Sequence, residues 1–299
     1  MITEECTLCK TALNVEKLTS EFCASINPYI GCVHGCKYCY VRAEKYSKGT
    51  DLSVVKVKYN IVDILVKELQ RYLKKFPTGV IYLGTSSDPY QSVEQKYRLS
   101  HKILSILLFH TPYNIHIFTK SRYILEDLEL FKKFKERLNI SITLITTNEK
   151  SKEIFEPNAS SIEDRLYCIK KLNLEGINCG VSIMPIIPYI NDNDKELEKL
   201  FINIKNSMCK YIWWDYLTLR ENISDNYFIS QKQVFLSVIS KNFPSLLQKY
   251  EFLYKNRISP NEAYQKMINK KVIFLAKKYN IYQYGPKWQK IQYQLFFDF

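Results

Sequence analysis

The stretch Ile26–Tyr40, INPYIGCVHGCKYCY, decides how the rest of the chain is read. It holds Cys32, Cys36 and Cys39 in a C-x3-C-x2-C pattern, with Gly31 and Gly35 beside them. Three thiolates in so short a loop can converge on one metal centre. Ferredoxin patterns supply four Cys ligands to a cluster. Three ligands on a four-iron cubane leave one iron without a protein ligand, and an open coordination site is where chemistry can happen. The glycines let the backbone fold tightly around a bulky ligand. A second reading uses His34 of the same loop, because Cys3His sites bind zinc. No second zinc-like half site stands downstream, which favours the iron–sulfur reading.

Length and composition bound the rest. The chain has 299 residues, 46% of them hydrophobic, enough for one large domain or a domain with an extension. No run of about 18 apolar residues occurs, so no transmembrane helix is expected. The N-terminal MITEECTLCK is acidic and polar, unlike a secretory signal. A cytoplasmic monomer with no membrane contact is the expectation. In that compartment cysteines serve as metal ligands or free thiols rather than disulfides, and Cys6, Cys9 and Cys23 read as free thiols. The net charge is +13 with pI about 9.1. That balance favours polyanions, nucleic acid above all. The abundance of Lys, Asn, Ile and Tyr is also what an AT-rich genome writes.

Beyond the loop, helical and extended patterns alternate. Helices are predicted over Tyr59–Phe76, Lys96–Phe109, Ile124–Arg137, Ser161–Asn173 and Asp194–Met208. Strands are predicted over Val80–Leu83, Ile115–Thr119, Ile140–Thr146, Asn178–Met184 and Tyr211–Leu219. With the strand before the Cys loop, this makes about six βα units and a parallel sheet covered by helices. Such folds place their sites at the carboxyl ends of the strands. From about Glu221 the alternation stops. Gln231–Ser240, Pro244–Tyr254 and Pro260–Tyr279 read as helices, the last with Ser259 as N-cap. The tail Tyr282–Phe299 interleaves aromatics with Lys, either as a flap on the core or as a stacking surface. Three parts result: a lead-in at 1–22, an α/β part at 23–220 and a helical extension at 221–299.

The loop, with an aromatic before its last Cys, resembles the radical S-adenosylmethionine (radical SAM) enzymes. The longer string is similar to the spore photoproduct lyase-like branch, often labelled DNA repair photolyases. Further segments match in the same order: Gly84–Gln91 (GTSSDPYQ) with Glu94, Phe118–Ser121 (FTKS), Glu156–Pro157 before Arg165–Leu166, and Met184–Asp192 (MPIIPYIND). The match covers roughly the first three quarters of the chain. It implies a partial (β/α)6 TIM-like barrel with the helical extension appended. It implies a 4Fe–4S cluster on Cys32, Cys36 and Cys39, whose fourth iron takes the amino and carboxylate groups of S-adenosylmethionine. One electron then cleaves the sulfonium and yields a 5′-deoxyadenosyl radical, the protein supplying position and exclusion of water. By the same resemblance Tyr40 faces the adenine edge, and Ser86, Ser87 and Asp88 take the cofactor's ammonium or hydroxyls. Lys120 pairs with its carboxylate, Thr143 and Thr146 lie at the same end, and Met184–Ile186 flank the adenine. A low-potential donor such as flavodoxin or ferredoxin is implied, with DNA or RNA as substrate. The alternatives are a peptide or metabolite substrate, or a non-catalytic zinc protein that binds nucleic acid. One departure matters. Spore photoproduct repair uses a hydrogen-donating Cys two residues before the Ser matching Ser87, and this sequence has Thr85 there. A hydroxyl O–H bond is too strong for that role, and Cys168 or Cys179 could replace it only from inside the barrel.

Overall fold

The two hydrophobic periods of the sequence separate into a sheet and a layer of helices. The computed structural model describes residues 3–15, 22–43, 54–221 and 230–282. Strands β1 (Thr3–Thr7), β2 (Leu13–Val15), β3 (Phe22–Ile26) and β4 (Tyr29–Ile30) precede the Cys loop, and β5 (Val54–Lys58) follows it. Next come α1 (Ile61–Lys75), β6 (Gly79–Leu83), α2 (Glu94–Tyr97), α3 (Leu99–His110), β7 (Asn114–Thr119), α4 (Leu128–Lys133) and β8 (Leu138–Thr143). Then α5 (Glu149–Phe155) and α6 (Ile162–Leu174) lead to β9 (Asn178–Ile186), α7 (Asp194–Asn206) and β10 (Ile212–Tyr216). Helices α8 (Gln231–Asn242), α9 (Leu247–Leu253) and α10 (Glu262–Lys278) come last.

The main sheet has the order β10-β9-β8-β7-β6-β3-β2. From β3 to β10 its strands are parallel and neighbours in chain order; β2 pairs antiparallel with β3. The sheet does not close among the described residues, its outer strands being β10 and β2. This is the helix-covered parallel sheet expected from the alternation, in the open, partial-barrel form that the resemblance implies. A smaller sheet, β1-β5-β4, flanks the Cys loop.

Burial explains the strands. Every residue of β8 is buried: Leu138, Ile140 and Ile142 share one face, Asn139, Ser141 and Thr143 the other, as a strand covered on both faces requires. The inward polar groups satisfy one another. His116 Nε2 lies 2.8 Å from Ser141 Oγ, which is 3.1 Å from the Tyr211 hydroxyl, itself donating to Ile140 O. The His116 ring stacks on Phe118 with centroids 4.4 Å apart. Burial lowers the His116 pKa to about 3, so the imidazole is neutral. Outside, α1 buries Ile61, Leu65, Leu69 and Leu73, one per turn. The last helices pack on the same core, with Phe235 and Phe243 stacked on Phe155.

Boundaries shift where polar pins override propensity. The predicted helix Lys96–Phe109 is split at Arg98, whose φ is 52°. Glu94 folds back there to accept from Ser100 N and His101 N, capping α3. The predicted helix Ile124–Arg137 is a 3₁₀ turn, α4 and a second 3₁₀ turn. Asp127, held by Arg98, His101 and Tyr90, fixes the first break. Strands β8 and β10 stop at Thr143 and Tyr216, earlier than predicted. Pro244–Tyr254 begins with a 3₁₀ turn before α9. The N-cap of α10 is Asn261, not Ser259: its side chain accepts from Tyr264 N at 2.9 Å. The lead-in contributes β1 and β2, and β5 was not read from the sequence. Residues 283–299, nearly all of the aromatic tail, lie outside the described residues. Among the described residues no helix is long and apolar enough to cross a membrane.

Candidate functional site

The Cys loop leaves β4 and ends in a 3₁₀ turn at Tyr40–Ala43. Gly31 and Gly35 have φ of 82° and 63°, which accounts for glycine at both points. Two elements hold the loop. Gln91, fully buried, accepts from Val33 N at 3.0 Å and donates to Gly31 O at 3.3 Å. On the other side Lys37 N donates to Phe155 O, Asn158 N to His34 O, and Asn158 Nδ2 to Val33 O. A third brace comes from α8: Gln231 Nε2 donates to Tyr38 O at 2.9 Å.

Ten of the residues singled out from sequence line one cavity of about 380 Å³ at the carboxyl ends of the strands. Cys32, Cys36, Cys39 and Tyr40 come from the loop. Ser86, Ser87 and Asp88 follow β6, Lys120 follows β7, Thr143 ends β8 and Met184 lies on β9. Thr85 and Phe118 line it as well, whereas Thr146, Cys168 and Cys179 do not. Gly84, with φ of 89°, turns β6 into this edge; a Cβ there would stand 2.5 Å from Pro89 Cδ and 2.6 Å from Phe118 O.

Several of these side chains are already engaged. Asp88 Oδ1 accepts from Thr119 Oγ1 at 2.7 Å and Tyr90 N at 2.9 Å. Its Oδ2 accepts from Lys120 N at 2.7 Å and lies 3.0 Å from His34 Nε2. Burial alone would raise its pKa, but His34, Thr119 and Lys120 N bring it to about 2. Ser87 Oγ donates to Tyr29 O at 2.8 Å. Asn27, at the end of β3, accepts from Ser86 N and donates to Thr85 Oγ1 at 3.1 Å. The Tyr40 hydroxyl donates to Thr85 O. Lys120 Nζ lies 6.0 Å from the centre of the Tyr38 ring. Burial opposes its charge, but Cys36, Glu156, Asp88 and Cys32 keep its pKa above the ordinary value, so it stays a cation. Burial pushes the Cys36 thiol up to about 12, and raises Cys32 and Cys39 too. A metal centre there must displace three protons.

The family model described as the Radical SAM superfamily matches residues 26–201. The chain belongs to the radical SAM superfamily. An uncharacterized protein of Mycobacterium tuberculosis is 28% identical over 284 residues, covering 92% of this chain and 80% of the relative. An uncharacterized protein of Methanocaldococcus jannaschii is 29% identical over 255 residues, covering 85% and 86%. Among solved structures, a spore photoproduct lyase variant with bound AdoMet and dinucleoside spore photoproduct superposes with a TM-score of 0.70. That similarity covers 94% of this chain and 81% of the lyase at 16% identity, and it shows a shared fold.

The radical SAM family implies a 4Fe–4S cluster and S-adenosylmethionine, and the donor set fits them. Three thiols border a cavity rather than one point: among the described residues no three His, Cys, Asp or Glu side chains are close enough to hold a single metal ion. His34 does not complete a Cys3His zinc set, since its ring is engaged by Asp88 and, at 3.3 Å, by Asn158 O. Arg42 Nε and Arg165 Nη2 are buried donors without a protein partner, and each acts electrostatically on a loop cysteine. Buried donors of this kind suit an anionic group with sulfur acceptors. The non-catalytic zinc reading therefore falls. Sequence reasoning gave no role to Asn27, Gln91 or Gln231, single polar residues whose contacts only the fold reveals. It quoted Glu156 and Arg165 as a motif without a task. It also missed Asp215, on β10, and Arg220, beyond it, which both line the cavity.

Proposed function

We propose that this radical SAM enzyme holds a 4Fe–4S cluster on Cys32, Cys36 and Cys39 and S-adenosylmethionine beside it, and acts on a nucleic acid. The observation that carries the reading is the meeting of three loop thiols and a half-buried lysine in one strand-end cavity. When bound, cluster and cofactor supply reductive one-electron cleavage of the sulfonium. The chain's own residues do the rest. Lys120 presents a fixed positive charge to the cofactor carboxylate. Thr143 offers a hydroxyl at the same end, and Met184 and Tyr40 border the adenine. Asp88 and Ser87 act as braces: their polar atoms hold the loop and strand ends in place, leaving Ser86 and Lys120 for the cofactor. Gln91, Glu156 and Gln231 keep the loop closed and dry.

The nucleic-acid substrate is supported by the lyase of the same fold, whose bound ligand is a dinucleoside photoproduct, and by the +13 charge. Thr85 at the cavity argues against repair of that photoproduct by this chain. The test is anaerobic reconstitution with iron and sulfide, followed by S-adenosylmethionine, dithionite and DNA or RNA. Deoxyadenosine should form, and deuterium should pass between it and the polymer. Deoxyadenosine without any exchange across single- and double-stranded DNA and RNA would remove the nucleic acid. No deoxyadenosine from iron-replete protein would remove the whole reading.

A further inference from the structure

Tyr38 lies between the last two loop cysteines and is buried. Its hydroxyl donates to Glu156 Oε1. The other oxygen of Glu156 pairs with Arg165 Nη1 at 2.7 Å. That guanidinium also donates to Thr143 O at 2.9 Å and Ser160 O at 3.0 Å, while Nη2 is buried with no protein partner. Glu156 is 0% and Arg165 1% exposed. A buried ion pair is weak evidence for stability, because desolvation offsets most of the attraction and an apolar pair of similar volume is often as good. This pair is therefore better explained by what it touches. Through Tyr38 it ties the Cys36–Cys39 turn to the end of β8. Through space, Lys120 and Arg165 favour the ionised Cys36 and Glu156 opposes it.

We infer that Glu156 and Arg165 are positioning residues of the iron–sulfur centre: they fix the Cys36–Cys39 turn and set the cluster's reduction potential by their balanced charges. The inference rests on the cluster reading above. Reduction adds one electron from an external reductant to the cluster, breaks no bond, and makes the cluster more negative by one charge. Nearby positive charge favours the reduced form, and nearby negative charge disfavours it. With the pair intact its two charges cancel, and Lys120, Arg42 and Asp88 are the other charges that act on the loop and its cavity.

The experiment is a dithionite titration of anaerobically reconstituted protein, followed by electron paramagnetic resonance, with iron and sulfide counted per chain. Glu156→Gln should shift the midpoint positive, and Arg165→Gln should shift it negative. The double variant Glu156→Gln/Arg165→Gln should return towards wild type, because its pair is again neutral. Should Arg165→Gln fail to fold, Glu156→Gln and the double variant still decide. Tyr38→Phe keeps the charges, so it should keep the midpoint while lowering cluster retention. Shifts of one sign in both single variants, or none, would overturn the inference, since loosening alone has no reason to depend on the sign of the lost charge. Full cluster retention in Tyr38→Phe would overturn its positioning half. If wild-type protein takes up no iron, it is the cluster reading that fails.

Discussion

Replacing Asp88 by Asn keeps the shape of the side chain and removes its charge. In the native protein Asp88 accepts from Thr119, Tyr90 N and Lys120 N and lies against His34. An Asn amide can satisfy two donors with its oxygen but turns its NH₂ towards the other two. Hydrogen bonds to charged groups contribute about 1.5–3 kcal/mol each. The carboxyl pKa gives an independent figure: it falls from an ordinary 3.8 to about 2. At about 1.4 kcal/mol per tenfold change in proton affinity, that is about 2.5 kcal/mol of native-state stabilisation. Asp88→Asn should therefore cost about 2–4 kcal/mol at pH 7, read as a lower urea midpoint of the iron-free protein with an unchanged slope. The folded pKa is depressed, so the stabilisation is complete above about pH 4 and is lost as pH falls towards 2. The gap between wild type and variant should shrink by about half at pH 3. A loss below about 0.5 kcal/mol at pH 7, or a gap that does not narrow in acid, would refute the account of Asp88 as a charged brace.

Cys36→Ala should abolish iron and sulfide binding while Cys6→Ala leaves both intact; full iron in the Cys36 variant would remove it from the ligand set. Lys120→Met should weaken S-adenosylmethionine binding at least about tenfold, about 1.4 kcal/mol, with iron content unchanged; equal affinity in equilibrium dialysis would take Lys120 out of the cofactor site. His116 is neutral when folded but takes up a proton when unfolded below about pH 6.5, so its share of stability is lost as pH falls from there towards 3. The loss should approach about 1.4 kcal/mol per pH unit, and His116→Phe should flatten the stability profile over that range; parallel profiles would contradict the linkage.

The frame of the fold was legible because its signals are local. The βα alternation and the turn at Gly84 follow from period and composition alone, whereas β9 runs through Pro185 to Ile186, past the predicted end at Met184. The Cys loop was equally plain, since ligand spacing is a sequence property. What was hidden depends on contacts across the chain. Glu94 reads only as part of a matching motif, yet its carboxylate caps α3 and receives the Tyr29 hydroxyl. Asp88 reads as a cofactor contact, and only the fold shows both its oxygens engaged. The β5 strand VVKVK has the alternation of a strand, but it lies beside a loop whose composition drew the reading elsewhere.

The bond from Gln231 to the Tyr38 carbonyl joins residues 193 positions apart. Synthesis runs from the N-terminus, at about 5–20 residues per second. The cysteines thus leave the ribosome about 10–40 s before the glutamine that braces them. Tyr38 stays unsupported on that side until α8 has emerged. Under the proposed cluster reading, delivery of iron and sulfide to a finished pocket is a late event of biogenesis, and a nascent chain stalled before Gln231 would present three thiols in an unfinished cradle, open to oxidation or to the wrong metal.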